Sequence, residues 1–347
     1  MILHVIKSKI YSGAENVVCQ IINGLNDRED FVYMAPHGPI EDKLKSLGLY
    51  EKYRGIDSLS ISEIQKAVQE LQPSVVHAHD FTASVFCAFA LKGSVPIISH
   101  LHNNPPWIKK FHLKTISYLM ACKYIDHILM VSSAVKDEYR YTSKIKCPIT
   151  IIGNPFSVDG VCSQVTNKNN PDIASDLLFV GRLTEQKNPQ LVIEVAKALY
   201  EKGIISKARI VGDGELREEL DSLICQYNLQ DVISMEGFIK NSYDYMANTK
   251  VQIMPSKWEG FGLVALEAMS LSKPVICSGE GGLINIVDDS CGKVCRTADE
   301  YVDAISELLS NNDLYMKKSQ GAYKRAMEYN NINDYCNTLY DIYEECR

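Results

Sequence analysis

The sequence predicts an α/β protein of two doubly wound domains, each a parallel sheet covered by helices on both faces. Three observations carry this. Short apolar runs alternate with amphipathic stretches along most of the chain. The alternation stops once, over the polar segment Asn154 to Asp176, and then resumes. The chain has 347 residues, enough for two domains at roughly 150 residues each.

The first set of elements opens with the apolar run Ile2–Ile6, read as a strand. Ala14–Leu25 follows as a helix, with Val17, Val18, Ile21, Ile22 and Leu25 on one side. Phe31–Ala35 reads as a strand. Ser62–Leu71 reads as a helix, with Ser62 as N-cap and Gln65 three residues on in a capping-box pattern. Val75–Ala78, Ile97–Leu101, Ile128–Val131 and Thr150–Ile152 complete the strands of this half. Asn167 to Pro171 make the centre of the expected linker. Leu177–Val180, Ala208–Val211, Val232–Glu236, Val251–Met254 and Pro274–Cys277 are the second set of strands. Pro189–Leu199 is a helix with Pro189 in its first turn, where a missing N–H costs nothing. Tyr301–Leu309, Asp313–Met327 and the Tyr-rich end from Asn333 to Arg347 are further helices. The domains are placed at 1–158 and 172–329, and in open sheets of this kind ligands bind beyond the C-terminal strand ends.

Composition excludes several classes. Hydrophobic residues make up 46% and charged residues 23%, which fits a globular protein rather than a disordered one. The net charge of −7 gives no nucleic-acid surface. Residues 1–160 hold 17 basic against 15 acidic residues, and the remainder 19 against 28, so the first half is the one to approach an anion. Eleven scattered cysteines show no C-x-x-C spacing, which suggests free thiols in a reducing cytoplasm. Met1 to Ile10 is too short and too broken by charge for a signal or a membrane span, and no later apolar run reaches about 18 residues.

Four segments carry chemistry. Ser256-Lys257-Trp258-Glu259-Gly260-Phe261-Gly262 follows a strand and opens a helix near Leu263. The first amides of that helix, at Gly262, Leu263 and Val264, lack intrahelical acceptors and suit a diphosphate. Glu259 suits sugar hydroxyls, and Glu267, inside the helix with seven residues between the two, suits a ribose diol. Gly181-Arg182-Leu183 with Lys187 leaves the first strand of the second domain, and two cations there would neutralise a departing diphosphate. Ser12-Gly13-Ala14-Glu15 enters the first long helix, and Gly13 leaves room for a phosphate or sugar to approach. No Gly-x-Gly-x-x-Gly follows the first strand, and Gly212-Asp213-Gly214 is followed by Arg217 rather than glycine, which argues against a nicotinamide enzyme. His102 ends a strand and is a candidate donor to a substrate hydroxyl. His77 and His79 share a sheet face, but no third ligand stands at local spacing, so no metal is expected there and His77 and His100 read as structural.

Pro105 to Tyr124 interleaves Trp107, Ile108, Phe111, Ile116, Leu119 and Met120 with Lys109, Lys110, Lys114 and Lys123. It reads either as a core-packed helix with a basic outer face or as a helix resting on an anionic membrane.

Together these motifs resemble glycosyltransferase family 4, a group of retaining enzymes with the GT-B fold, in which two Rossmann-like domains face each other across a cleft. Ser12-Gly13-Ala14-Glu15 is similar to the family's Gly-Gly-Ala-Glu entrance, with Ser12 for the first glycine. Gly181-Arg182-Leu183 with Lys187, Gly212-Asp213-Gly214, Gly281-Gly282 and above all Glu259 to Glu267 with Gly-Phe-Gly inside resemble the family's other signatures. Asn285 stands where the family often has Glu, so no role passes to it. The resemblance implies a nucleotide-sugar donor, most often a UDP-sugar, bound to the second domain, and a saccharide or lipid-linked acceptor bound to the first. It implies that Arg182 and Lys187 stabilise the leaving diphosphate, Glu259 holds the donor sugar, Glu267 the ribose and Phe238 the base region, and that His102 contacts the sugar. It implies a final helix, about 330–347, packed back on the first domain, and transfer of a hexosyl group in surface polysaccharide or glycoconjugate synthesis with no metal or other cofactor. Transfer to a small soluble acceptor and a catalytically silent sugar-nucleotide sensor are the alternatives.

Overall fold

The computed structural model describes all 347 residues. They form two compact units, Met1–Pro155 with Asn331–Arg347, and Phe156–Asn330. In the first, β1 (Ile2–Val5), β2 (Phe31–Pro36), β3 (Tyr53–Ile56), β4 (Val75–His79), β5 (Ile97–Leu101), β6 (His127–Met130) and β7 (Ile149–Ile151) make one sheet in the order β3-β2-β1-β4-β5-β6-β7. In the second, β8 (Ser175–Val180), β9 (Ala208–Val211), β10 (Ile233–Gly237), β11 (Thr249–Met254), β12 (Val275–Ser278) and β13 (Gly292–Cys295) run β10-β9-β8-β11-β12-β13. Every strand pair is parallel. Each sheet is two-sided and doubly wound, so its central strands bury both faces. Leu177, Phe179, Ile210, Val251 and Ile253 are essentially inaccessible, each contributing about 1.5–3 kcal/mol by leaving water.

The order reverses between β1 and β4 in the first sheet and between β8 and β11 in the second. At such a switch point the loops from neighbouring strands turn to opposite faces and leave a crevice at the C-terminal edge. The loops after β8 and β11 are those carrying Arg182, Lys187 and Glu259.

The structure corrects several sequence expectations. The N-cap of the helix Ile61–Leu71 is Ser60, whose side chain accepts from the Glu63 amide. Ser62 is the second residue of the helix, and its hydroxyl lies 3.0 Å from that of Ser60 rather than on a free amide. The strands Tyr53–Ile56 and Gly292–Cys295 were not foreseen; their Arg, Gly and Lys interrupt the apolar pattern because β3 is a sheet edge and β13 is likewise terminal. Asn154 to Asp176 is not a bare linker. It holds the helix Val158–Cys162, and Asp244 accepts from the Thr166 and Asn167 amides at 2.7 and 3.0 Å. Pro105 to Tyr124 is not one helix. It comprises a 3-10 turn Pro106–Lys109, the helix Leu113–Ala121 and a second 3-10 turn Cys122–Tyr124. His112 caps the helix by accepting from the Lys114 amide, so the chain restarts there.

The helix Ile332–Cys346 packs in the first unit. Its Tyr343 hydroxyl meets His77 Nδ1 at 2.7 Å, its Arg347 pairs with Glu29, and Asn337 accepts from Arg28 at 2.8 Å. No helix is long and apolar enough to cross a membrane.

Candidate active site

In the second unit, the loops after β8, β9 and β10 are stitched by their own backbones. Gly181 N donates to Val211 O at 3.0 Å, Leu183 N to Asp213 O at 2.9 Å and Gly212 N to Gly237 O at 2.8 Å. Gly212 stands at φ 143, and a Cβ built there would lie 1.8 Å from the Gly181 carbonyl oxygen. Only glycine permits that approach.

The loop after β8 is also tied to the loop after β11. Gln186 is buried; its Nε2 donates to Trp258 O at 3.1 Å, and its carbonyl accepts from Lys257 N at 2.8 Å. Asn188, in the left-handed conformation at φ 53, donates from Nδ2 to Pro255 O at 3.2 Å and turns the chain into the helix Pro189–Glu201. These contacts hold two of the sequence-predicted side chains together. Lys187 Nζ lies 2.5 Å from Glu259 Oε2, with both side chains mostly buried, and Ser256 Oγ donates to the same oxygen at 3.3 Å. Arg182 is exposed beside them and reaches Gln186 Oε1 at 3.5 Å. The sequence reading placed Lys187 and Glu259 at one site but not in contact, and it missed Gln186, Asn188 and Ser256. The only available signal was Asn-Pro at the head of a helix.

Gly262, at φ 113, caps the helix Leu263–Ser270. Its carbonyl accepts from the Ala265 and Leu266 amides, so those of Leu263 and Val264 precede the first intrahelical bond. The next loop supports this turn. Gly282 N donates to Glu259 O at 3.0 Å, and a Cβ on Gly282 would meet Phe261 O at 2.4 Å. The Asn285 carbonyl accepts from Arg325 and Tyr329, so this residue braces the loop through its backbone. Phe238, just past β10, is 75% exposed.

Glu267 is half-buried on the same helix, and Tyr243 Oη donates to its Oε1 at 3.2 Å. Burial raises its carboxyl from 4.5 to about 7, and the Tyr243 hydrogen bond pulls the other way. The folded state therefore holds this proton more tightly than the unfolded chain, and stability falls as pH rises from about 4.5 to about 7. Glu267→Gln is expected to remove that loss. Its Tm should match the wild type near pH 4 and exceed it near pH 8; an offset equal at both pH values contradicts the assignment.

In the first unit, Gly13 opens the helix Gly13–Leu25, and a Cβ there would meet nothing within 4 Å. Ser12 donates to Glu15 Oε2 from both N and Oγ, at 3.0 and 2.6 Å. His102 follows β5; its Nε2 lies 2.8 Å from His79 Nδ1, and its amide donates to Asp80 Oδ1 at 3.1 Å. Asp80 sits at φ 66, a left-handed conformation rare outside glycine, which costs about 1–3 kcal/mol and is held by its surroundings. Burial lowers His102 to about 4, opposed by the Glu15 carboxylate, so the ring is neutral near pH 7.

His102 belongs to a layer that the sequence reading did not assemble. His4 pairs in register with His77, and His79 with His100, on adjacent strands β1, β4 and β5. Their common parity puts all of them on one sheet face. His4, His77 and His100 are inaccessible and His79 is 2% exposed. Five ring nitrogens of this layer are buried without a hydrogen-bond partner: His4 Nε2, His77 Nε2, both of His100 and His102 Nδ1.

Comparison with known proteins agrees with this architecture. Residues 11–159 match the model for Glycosyltransferase Family 4, and residues 163–325 match that for Glycosyl transferases group 1. The uncharacterized glycosyltransferase MJ1059 of Methanocaldococcus jannaschii is 30% identical over 235 residues, 62% of this chain and 57% of that protein, so the matched stretch spans little more than half of that relative. The putative colanic acid biosynthesis glycosyltransferase WcaL of Escherichia coli is 33% identical over 127 residues, 34% of this chain and 31% of its own. The crystal structure of Anabaena HepE, in complex with UDP and glucose, superposes with a TM-score of 0.83 at 17% identity over 99% of both chains. That likeness shows the fold, which is GT-B. The two family models succeed one another along the chain and together reach from residue 11 to residue 325, and on that ground the chain belongs to glycosyltransferase family 4.

Proposed function

We propose that the protein transfers a hexosyl group from a nucleotide-sugar, of the UDP class, to a saccharide or lipid-linked acceptor, with retention at the anomeric carbon. The observation that carries this is the Lys187–Glu259 pair at the second sheet's switch point, with Arg182 on the loop of Lys187 and the Leu263 and Val264 amides at the end of the loop of Glu259. Cations and unpaired amides at that edge suit a diphosphate. UDP is favoured because HepE, which shares the fold, was crystallised with it. A role in surface polysaccharide or glycoconjugate synthesis rests on WcaL's description.

In this reading the bond between the anomeric carbon and the diphosphate oxygen breaks, and its electron pair stays on the leaving oxygen. Lys187 and Arg182 oppose the charge that develops there. The acceptor oxygen attacks from the same face through an oxocarbenium-like state, and its proton passes to the leaving phosphate. Glu259 holds the sugar hydroxyls, Glu267 the ribose diol and Phe238 the base region. In the first unit Gly13 leaves room for a phosphate or sugar oxygen, and His102 contacts the sugar. No metal or other cofactor is needed for this step, since side-chain cations and the helix N-terminus supply the positive charge.

A cavity of about 480 Å³ in the first unit, beyond β1 and β2, suits the acceptor. Lys7 and Lys9 set two positive charges against the one carboxylate, Asp57, and Ile10, Leu59 and Phe86 supply an apolar wall. That mixture fits a phosphate-linked lipid carrier better than a small polar acceptor. Phe111 and Leu113 are 75% and 80% exposed among Lys109, Lys110 and Lys114, a surface suited to the face of an anionic membrane. The eleven free cysteines favour the cytoplasmic side. Lys109→Glu with Lys110→Glu is expected to abolish pelleting with vesicles containing phosphatidylglycerol. Unchanged pelleting removes the membrane contact.

The test of the whole reading is a thermal-shift screen of UDP-, GDP- and ADP-sugars, followed by donor hydrolysis without acceptor. A UDP-sugar should raise Tm and be slowly hydrolysed. Binding without turnover of any donor would favour a sensor instead. Within this reading, Glu267→Gln should weaken donor binding by calorimetry.

A further inference from the structure

We propose that His4, His77 and His79 form a binding site for a borderline first-row divalent cation, zinc above all, in the interior of the first unit. One ring nitrogen from each lies within 4.8 Å of one from both others. The sequence argument against a metal was that His77 and His79 lack a third ligand at local spacing. The sheet order supplies it: β1 lies against β4, and His4 is in register with His77.

The hydrogen bonds around His77 and His79 have the form of an outer ligand shell, while His4 Nε2 is buried with no partner. A ligating imidazole usually gives its second N–H to a fixed acceptor, which sets the tautomer and aims the ring. His77 does so through Nδ1, 2.7 Å from the buried Tyr343 hydroxyl, while its Nε2 is buried with no partner. His79 does so through Nδ1, 2.8 Å from His102 Nε2. Its Nε2 lies 2.9 Å from His4 Nδ1. A cation bound at about 2.0–2.1 Å to two tetrahedral ligands separates their nitrogens by about 3.3 Å, so that pair opens by only a few tenths of an ångström.

The donor set selects the metal. Three neutral imidazoles suit zinc, copper, nickel or ferrous iron and reject calcium and magnesium, which take oxygen ligands. Burial also keeps these rings unprotonated, the form that ligates. The site lies on the face covered by the final helix, so binding would clamp β1 and β4 to that helix through Tyr343. With metal on His79 Nε2, the proton of His79 is fixed on Nδ1 and is donated to His102 Nε2. His102 then carries its own proton on Nδ1. Only this last consequence rests on the sugar-contacting role given to His102.

The experiment uses the full chain, reduced and stripped with chelator, titrated with Zn²⁺ and separately with Co²⁺. One equivalent should bind, and the cobalt form should show tetrahedral ligand-field bands without a thiolate charge-transfer band, which separates imidazole from the eleven cysteines. His77→Gln should weaken zinc binding by at least about 100-fold. Tyr343→Phe, which preserves the packing, should weaken it about 10-fold. Absence of a stoichiometric site in the wild type overturns the proposal whatever the variants do. So does a thiolate spectrum, or affinity unchanged in both variants. Because the readout is metal binding, its failure leaves the transferase reading untouched, and a failed donor screen leaves the metal site untouched.

Discussion

Lys187→Ala is expected to lower turnover about 10²–10³-fold, the range typical for removing one group that stabilises developing charge, and to change acceptor affinity far less. The ammonium faces Glu259 at 2.5 Å in a loop pinned by Gln186 and Asn188, so it needs little reorganisation as the glycosyl bond breaks. An interaction felt mainly in the transition state shows in kcat rather than in ground-state binding. The substitution also leaves Glu259 without its cation at a largely buried position, which costs some stability. Circular dichroism and thermal melting must therefore accompany the kinetics, and Lys187→Arg, which keeps the charge, should recover part of the rate. Normal kcat with weaker acceptor binding contradicts the leaving-group role.

Gly212→Ala is expected to be among the most destabilising single changes in the second unit. The new methyl carbon would stand 1.8 Å from the Gly181 carbonyl oxygen. That oxygen is backbone, so the loops after β8 and β9 must separate. The Gly181–Val211 and Gly212–Gly237 hydrogen bonds are lost with that movement. A loss above about 3 kcal/mol follows, or roughly 10 °C in Tm for a unit of this size. Gly203→Ala is the control, because it too has positive φ but nothing lies within 4 Å of its added carbon; it should cost about 1 kcal/mol. If the two variants melt alike, strain in the backbone rather than close loop packing governs the site.

Both predictions use residues visible in the sequence and contacts that are not. Gly181, Gly212, Arg182 and Lys187 stand in short motifs after apolar runs, where a glycine or a cation has a local meaning. The Ser60 cap and the broken course of 105–124 were misread for the opposite reason. Ser60 with Glu63 satisfies the same capping pattern as Ser62 with Gln65, and the helix within 105–124 begins only at the His112 cap. β3 and β13 escaped because a terminal strand need not be apolar on both faces.

By itself, the sequence determined the alternation of strand and helix, the two-domain plan and the glycine-flanked turn before Leu263, because each follows from residues within a few positions of one another. Tertiary structure alone decided that Lys187 meets Glu259 across 72 residues and that His4 meets His79 across 75. Those meetings depend on which strands become neighbours at each switch point, and strand order is set by the packing of the whole sheet, which no local pattern encodes.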